Sequence, residues 1–341
     1  MDLEVVRFRE LTAAHLARWA EWQAADPALA SPHFRSEFTE VVAAKHADIF
    51  VAVIDGGLAF FPFERGRRGI GHAAGGIISD YHGVIAQPGF RFDAVEVVRR
   101  CGLRAWDFDH LPAAQSAFTP WARVQAGSPM IDLTLPEAGG SAQLRKQIAR
   151  CRRKLAHELG AVEFEMDSAD EAAFEQLLAW KSAQYLESGA ADLFKPGWVR
   201  NVVSAFRVRR EPEFSGVLSV LRAGGRVVAA HFGLRSRGLL HYWFPAYDPA
   251  LGACSPGMML LLDMTDAAPA HSIRAIDFGK GDATYKLRLA NTRVPLMEGS
   301  VVSSPWLRVW RRSNATVDAW IRRSPLLPLA RSLRRAMRGA P

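Results

Sequence analysis

Leu239-Leu240-His241-Tyr242-Trp243-Phe244, then Pro245-Ala246-Tyr247-Asp248-Pro249, then Ser255-Pro256-Gly257 ahead of Met258–Met264, is the stretch on which the reading of this chain turns. The first segment predicts a strand, the second a turn-rich exit and the third the start of an apolar helix. Ser255 suits the N-cap and Pro256 the first helical position. Gly257 would let a ligand come close to the backbone. A strand feeding a free helix N-terminus makes an anion site, because unpaired N–H groups and the helix dipole both favour negative charge.

Downstream lies Asp277-Phe278-Gly279-Lys280-Gly281-Asp282-Ala283-Thr284-Tyr285-Lys286. Here a strand ends, two glycines turn the chain, and Asp282 is placed to cap a short helix. Ligand sites in open α/β sheets tend to lie at such strand ends.

The surrounding sequence alternates strands and helices. Residues 3–9 read as a strand, and 12–23 and 35–45 as helices. Ile49–Ile54 and Leu58–Phe63 form a hairpin about Asp55-Gly56-Gly57. A strand at 83–86, a helix at 92–101 and a strand at Leu103–Phe108 follow. The second half repeats the order: strand Val162–Glu165, helices 169–187 and 197–209, strands Val217–Leu221, Val227–Leu234 and Leu239–Phe244, a helix from Ser255, and strand Ile273–Phe278. Leu103-Arg104-Ala105-Trp106-Asp107-Phe108 resembles Ile273-Arg274-Ala275-Ile276-Asp277-Phe278, and Gly56-Gly57 matches Gly224-Gly225 at nearly the same offset. Two matches at one offset argue for two copies of an α/β unit. In the first copy Asp107-Phe108-Asp109-His110-Leu111-Pro112 stands where the second has its Gly-Lys-Gly-Asp run.

Two helices carry further candidates. Phe174, Leu178, Lys181 and Tyr185 share one face, so Lys181 either snorkels to the surface or points into a cleft and meets an acidic substrate. In 141–159 the apolar stripe is Leu144, Ile148, Cys151, Leu155 and Leu159. Arg145, Lys146, Arg150, Arg152, Arg153 and Lys154 cover the rest, either as a solvated face or as a contact for phosphate or an anionic bilayer.

The net charge of +8 resides entirely in 301–341, which hold nine Arg and one Asp; residues 1–300 carry 34 basic and 34 acidic side chains. Over 305–323, Trp306, Val309, Trp310, Val317, Trp320 and Ile321 oppose Arg308, Arg311, Arg312, Arg322 and Arg323 on a helical wheel. A second basic segment extends to Arg338, and the pattern suits peripheral contact with a membrane interface or docking on the body. The neutral body and the absence of a nucleic-acid motif argue against DNA or RNA binding. Three cysteines (Cys101, Cys151, Cys254), far apart and odd in number, exclude a disulfide framework and a zinc–cysteine site, and fit a reducing, cytoplasmic setting. The N-terminus has no signal-peptide pattern, and no apolar run is long enough to span a bilayer. Serine-hydrolase, Walker, dinucleotide and zincin motifs do not occur.

The run Arg145…Arg152-Arg153-Lys154-Leu155…Gly160-Ala161-Val162-Glu163-Phe164, then Trp180-Lys181…Tyr185, then Ser255-Pro256-Gly257-Met258, then Asp277-Phe278-Gly279…Gly281-Asp282…Tyr285-Lys286 resembles the CelD/BcsL-type acetyltransferases of bacterial exopolysaccharide biosynthesis. These are GNAT enzymes, related to the tandem-GNAT FemAB-like aminoacyltransferases. The resemblance is best over 130–300. It implies tandem GNAT-like α/β domains, each a mixed, mostly antiparallel sheet flanked by helices, at 1–129 and 130–300; the basic amphipathic helical tail at 301–341, read from its wheel, lies outside the resemblance.

It further implies transfer of an acyl group from an acyl-CoA, acetyl-CoA foremost, without a metal, to an amine, or less often a hydroxyl, on a sugar or lipid-linked saccharide. The alternatives are an aminoacyl-tRNA-dependent transfer and a non-catalytic scaffold of a polysaccharide-synthesis complex. Phe244 and Ala246 would lie along the pantetheine, with Ser255, Gly257 and Met258 at the pyrophosphate. Asp277, Asp282 and His231 are the candidate bases, and Tyr285 would protonate the thiolate. Lys181, Tyr185, Tyr242, Lys280 and Lys286 would line the acceptor. Only Gly252 and Gly257 stand where the family's glycine-rich pyrophosphate loop lies.

Overall fold

The computed structural model describes residues 1–136, 138–304 and 307. The tail expected at 301–341 lies outside the described residues from 305 onward, Leu307 excepted. The strands are β1 (Leu3–Val6), β2 (Ile49–Ile54), β3 (Ala59–Arg65), β4 (Ile70–Ala73), β5 (Ala105–Pro112), β6 (Ala122–Asp132), β7 (Val162–Glu165), β8 (Phe214–Ala223), β9 (Arg226–Ser236), β10 (Leu239–Tyr247), β11 (Ala275–Asp277) and β12 (Thr292–Val302). They form one sheet in the order β1-β2-β3-β4-β5-β12-β6-β11-β10-β9-β8-β7. Two-residue strands at Ile85–Ala86 and Arg210–Glu211 pair with β3 and β8.

That order is symmetric about the β12/β6 pair. Each half is antiparallel up to its fourth strand, and its fifth runs parallel to the fourth. The sixth strands are exchanged. β12, from the end of the second half, lies against β5 of the first. β6, from the first half, lies against β11 of the second, and the two pair with each other from Thr292↔Met130 to Gly299↔Ala122. The fold is thus the tandem mixed α/β arrangement expected. β6 runs across residues 129 and 130, where the expected boundary lies.

Helices α1 (Ala13–Ala25), α2 (Ser36–Lys45), α3 (Ala94–Arg100), α4 (Ala142–Leu159), α5 (Glu171–Glu187), α6 (Gly197–Arg207) and α7 (Pro256–Ala267) cover both faces of the sheet. In the first half, Val97 and Val98 of α3 pack on Phe61, Phe63, Trp106 and Phe108. Trp19 of α1 stacks on Phe60 across the opposite face. In the second half, α5 and α6 share a core with α2 of the first, where Phe38 stacks on Phe206 at 5.1 Å. α4 and α7 cover the other face.

α4 shows its expected apolar stripe, with Leu144, Ile148 and Leu155 buried. Its basic face is only partly free, because Arg145 makes two bonds to Asp266 at 2.8 and 2.9 Å and Arg152 pairs with Asp263, both acids on α7. The C-terminus of α4 rests on the β8–β9 turn. A Cβ on Gly224 would come within 1.8 Å of the Leu159 carbonyl oxygen, and φ there is +55°, so only glycine fits.

Four strands were not foreseen, namely β4, β6, β12 and the two-residue strand Arg210–Glu211. Gly127 and Pro129 interrupt β6, and Pro295 and Gly299 interrupt β12. Both strands pair on two sides, where such residues weaken strand patterning. The exchange predicts that neither half folds alone. A fragment ending at residue 141 should lack β12 between β5 and β6 and show no cooperative thermal unfolding by circular dichroism. A soluble fragment with a sharp transition would contradict the exchange as a folding requirement.

Candidate active site

β10 and β11 pair over three residues only, Leu239↔Ala275, Leu240↔Ile276 and His241↔Asp277. Beyond His241, β10 continues to Tyr247 bonded to β9 alone, while the chain after Asp277 turns away at Gly279, where φ is +69°. The sheet therefore opens between the two strands. α7 begins beside the opening. Pro256 occupies its first position, as expected. Ser255 does not cap it through its side chain: the residue is left-handed (φ 51°, ψ 49°) and makes no cap bond. Its carbonyl accepts from Met258 and Met259 N–H at 3.1 Å each. What comes close to Gly257 is the Tyr247 ring, 3.1 Å from where a Cβ would sit. Phe244 and Ala246 are buried, and neither pairs with β11.

The expected site residues divide among several places. Asp277, 1% exposed, accepts from Tyr81 Oη at 2.5 Å, from Ser128 Oγ and from Gly279 N–H at 2.8 Å. Its lone pairs are engaged by the first half and by β6, leaving it poorly placed to take a substrate proton. Burial, reinforced by the Asp277 charge, pushes the Tyr81 hydroxyl far above its usual range. Asp282 is away from this cluster, exposed and paired with Arg293. It caps nothing, because the short helix α8 (Thr284–Leu287) starts after Ala283.

His231 is fully buried, stacked on Tyr242 at 4.2 Å, and burial holds it neutral well below the ordinary histidine range. Solvent does not reach it. Tyr242 lies edge-on to Phe278, and Phe278 to Tyr285, so an aromatic row leads from His231 to the surface. Burial raises the Tyr285 hydroxyl, which is nevertheless partly open to solvent.

Lys181 and Tyr185 sit half-buried on α5, with the ammonium 5.3 Å over the ring. Burial, with a contribution from the Lys286 charge, lowers Lys181 to about 8. Burial and the Asp80 charge raise Tyr185 to about 12. Lys286 Nζ donates to the carbonyls of Gly279 and Lys280, fixing the turn after β11. Lys280 reaches the Asp109 carbonyl and Glu298, each at 3.0 Å.

The fold also assembles groups that sequence reasoning missed. Asp80, in the loop after β4, bonds His241 Nε2 through Oδ2 at 2.7 Å. Burial would raise this carboxyl, but the His241 bond and the charges of His241, His110 and His33 hold it well below the usual carboxylate range. His33 lies edge-on to His241 at 4.8 Å, and burial and His241 lower its own pKa. His110 Nε2 faces Asp80 Oδ1 at 3.8 Å, and its Nδ1 is 3.0 Å from Asp109. The available signal was the duplication offset, which aligns Asp109-His110 with Gly279-Lys280.

The corresponding seam of the first half is closed. β4 and β5 pair at Ile70↔Ala105 and Gly71↔Trp106. Beyond them His82 Nε2 accepts from the Asp109 and His110 N–H groups at 3.1 and 3.2 Å. Burial lowers His82 to about 3, aided by the charge of His110, which keeps the ring a neutral acceptor.

Residues 142–287, less than half of the chain, match the family described as acetyltransferase (GNAT) domain. The chemistry of that domain is N-acyl transfer. No curated protein sequence matches the chain. Among solved structures, a C-terminal domain assigned to a lysylphosphatidylglycerol synthetase from Agrobacterium fabrum superposes with a TM-score of 0.56 at 14% identity, over 89% of this chain and 96% of that one. L-PGS from Bacillus licheniformis gives 0.51 at 9% identity, over 85% and 92%. FemX gives 0.51 at 8% identity, over 91% and 99%. At these identities the likeness is one of fold. Among the described residues no helix is long and apolar enough to cross a membrane, and no group of three or more potential ligands could hold a metal ion.

The lowered Lys181 can be checked directly. At pH 8 about half of this ammonium should be neutral, against well under ~1% for an unperturbed lysine near 10.4. Competitive amine labelling followed by mass spectrometry should give a midpoint near pH 8 for Lys181. A midpoint near that of exposed Lys146 would contradict its burial.

Proposed function

We propose that the chain is an acyl-CoA-dependent N-acyltransferase, acetyl-CoA being the donor, which modifies an amino group on a sugar or lipid-linked sugar precursor in exopolysaccharide biosynthesis, in the manner of the CelD/BcsL type. The observation that carries the donor assignment is the seam between β10 and β11, open beyond His241 and Asp277 with the start of α7 beside it. Backbone groups of β10 would hold the pantetheine as an added strand would be held. Met258 and Met259 N–H being bonded to Ser255, the Gly257 N–H and the dipole of α7 would face the pyrophosphate. The closed first-half seam supports the division of labour in which 130–300 is catalytic and 1–129 shapes the acceptor side. The sequence of 305–338 supports a place at the inner membrane face.

The thioester carbonyl would lie in the opening, with the leaving sulfur toward Tyr285. That hydroxyl, kept protonated by burial, is available to donate to the thiolate. Lys181 lies near Lys286, and Tyr185 and Lys286 lie near Asp80, where the acceptor would approach. Asp277 serves by tying Tyr81, Ser128 and the Gly279 turn together at the mouth of the seam.

Isothermal titration of the full chain with acetyl-CoA tests the donor assignment. A Kd in the micromolar range is expected, weakened about tenfold or more in Gly257→Glu, which sets bulk and negative charge at the helix start. Absence of heat with acetyl-CoA and CoA would overturn it. Acyl transfer that depends on charged tRNA and is lost after RNase treatment would instead establish the aminoacyl route.

A further inference from the structure

The proposed reaction needs a group that removes a proton from the acceptor, and none of Asp277, Asp282 and His231 is placed to do so. We propose that the base is His110, oriented by Asp109, and that the acceptor amine docks as an ammonium between His110 and Asp80, so that the first half supplies the acceptor machinery. This inference rests on the acyltransferase reading above.

The geometry is that of an oriented imidazole. Nδ1 of His110 faces the Asp109 carboxylate at 3.0 Å, which fixes the tautomer with its proton there and leaves the Nε2 lone pair directed at Asp80. The 3.8 Å between Nε2 and Asp80 Oδ1 is too long for a direct hydrogen bond and of a size for a third polar group to bridge. A nitrogen about 2.8 Å from each would donate one N–H to the carboxylate and one to the imidazole. The other oxygen of Asp80 is held by His241, so the carboxylate is positioned before any amine arrives. Asp80 and His110 side chains are 26% and 13% exposed, reachable from outside yet held in place.

Asp109, which orients His110, and His82 also line a cavity of about 430 Å³ with Glu64, His72, Asp107 and Trp198; no lysine or arginine lines it, nor do His110 and Asp80 themselves. Carboxylates and an indole suit a cationic, hydroxylated amine such as an amino sugar, and disfavour a phosphate at this end of the acceptor.

The step balances as follows. The ammonium gives one proton to His110 Nε2, and the freed nitrogen attacks the thioester carbonyl. The N–C bond forms and the C–S bond breaks. The nitrogen's second proton ends on the CoA sulfur, and His110 returns the first to solvent. Groups facing the pair are His82, 6.2 Å from His110 between ring centres, His33 and His241 near Asp80, Lys280 at 3.8 Å from Asp109, and Lys286 near Asp80.

The test is acetyl transfer to D-glucosamine by the full chain, with kcat/KM measured against pH and acetyl-CoA affinity measured in parallel. His110→Gln should lose about a hundredfold or more in kcat/KM, with acetyl-CoA affinity unchanged. Imidazole should restore activity to His110→Ala. Asp109→Asn, at a 61% exposed side chain that folding does not need buried, should lose activity by mis-setting the tautomer. Asp80→Asn should raise the glucosamine KM more than it lowers kcat. His110→Gln and Asp109→Asn both within threefold of wild type would overturn the base assignment. Acetyl-CoA binding without transfer to glucosamine at any pH would overturn the ammonium site. Failure of the wild type to bind acetyl-CoA would instead overturn the donor reading beneath both.

Discussion

The pairing of β6 with β12 at the centre of the sheet is the constraint on which the rest depends. Each strand ends one half and is hydrogen-bonded into the other, so the halves cannot separate without breaking ladders on both sides of each strand. A two-domain chain joined by a polar linker would move about it. Here the join is a continuous sheet, and a loop of the first half is held at a fixed place against a strand end of the second. The Ser128–Asp277–Tyr81 bonds are the local expression of that constraint, since β6, the end of β11 and the loop after β4 meet at one buried carboxylate.

The two copies have diverged at their parallel strand pairs. In the second, pairing stops at His241 and Asp277 and the space beyond is open beside α7. In the first, His82 caps the N–H groups that an incoming chain would otherwise bond. The imidazole stays neutral in that buried position, which suits it to accept from two backbone donors. The same closure sets Asp109 and His110 at the interface between halves, where His110 faces Asp80. Under the proposed reaction one copy would keep a donor seam while the other would contribute acceptor-side groups.

Much of this was legible from residues and some was not. The helices over 12–23, 92–101, 141–159 and 169–187 were legible, and Thr12, Asp93, Ser141 and Asp170 each accept an N–H of the first turn, whereas neither Ser255 nor Asp282, the caps that were read, makes a cap bond. The Gly56-Gly57 and Gly224-Gly225 turns and the related 103–108 and 273–278 segments revealed the repeat, and the strand-to-helix stretch at 239–264 located the seam. The strand exchange was hidden because Gly127, Pro129, Pro295 and Gly299 break the alternation of the two strands that perform it. Asp80 and His110 were hidden for another reason. Asp80 lies 161 residues from its partner His241, and only the fold sets His110, in β5, against Asp80. Conversely, Asp282 looked chemical in a glycine-rich run but pairs with Arg293 at the surface, and His231 sits in a strand because a stacked, neutral ring fills that core.

The central claim is that the two related seams differ, one open to an acyl-CoA and one closed. Hydrogen–deuterium exchange of the full chain with and without saturating acetyl-CoA addresses it most directly. The account predicts slowed exchange in residues 242–259, covering the free edge of β10 and the start of α7, with no change over 71–76 at the first-half seam. Equal protection at both seams, or protection at neither, would contradict it.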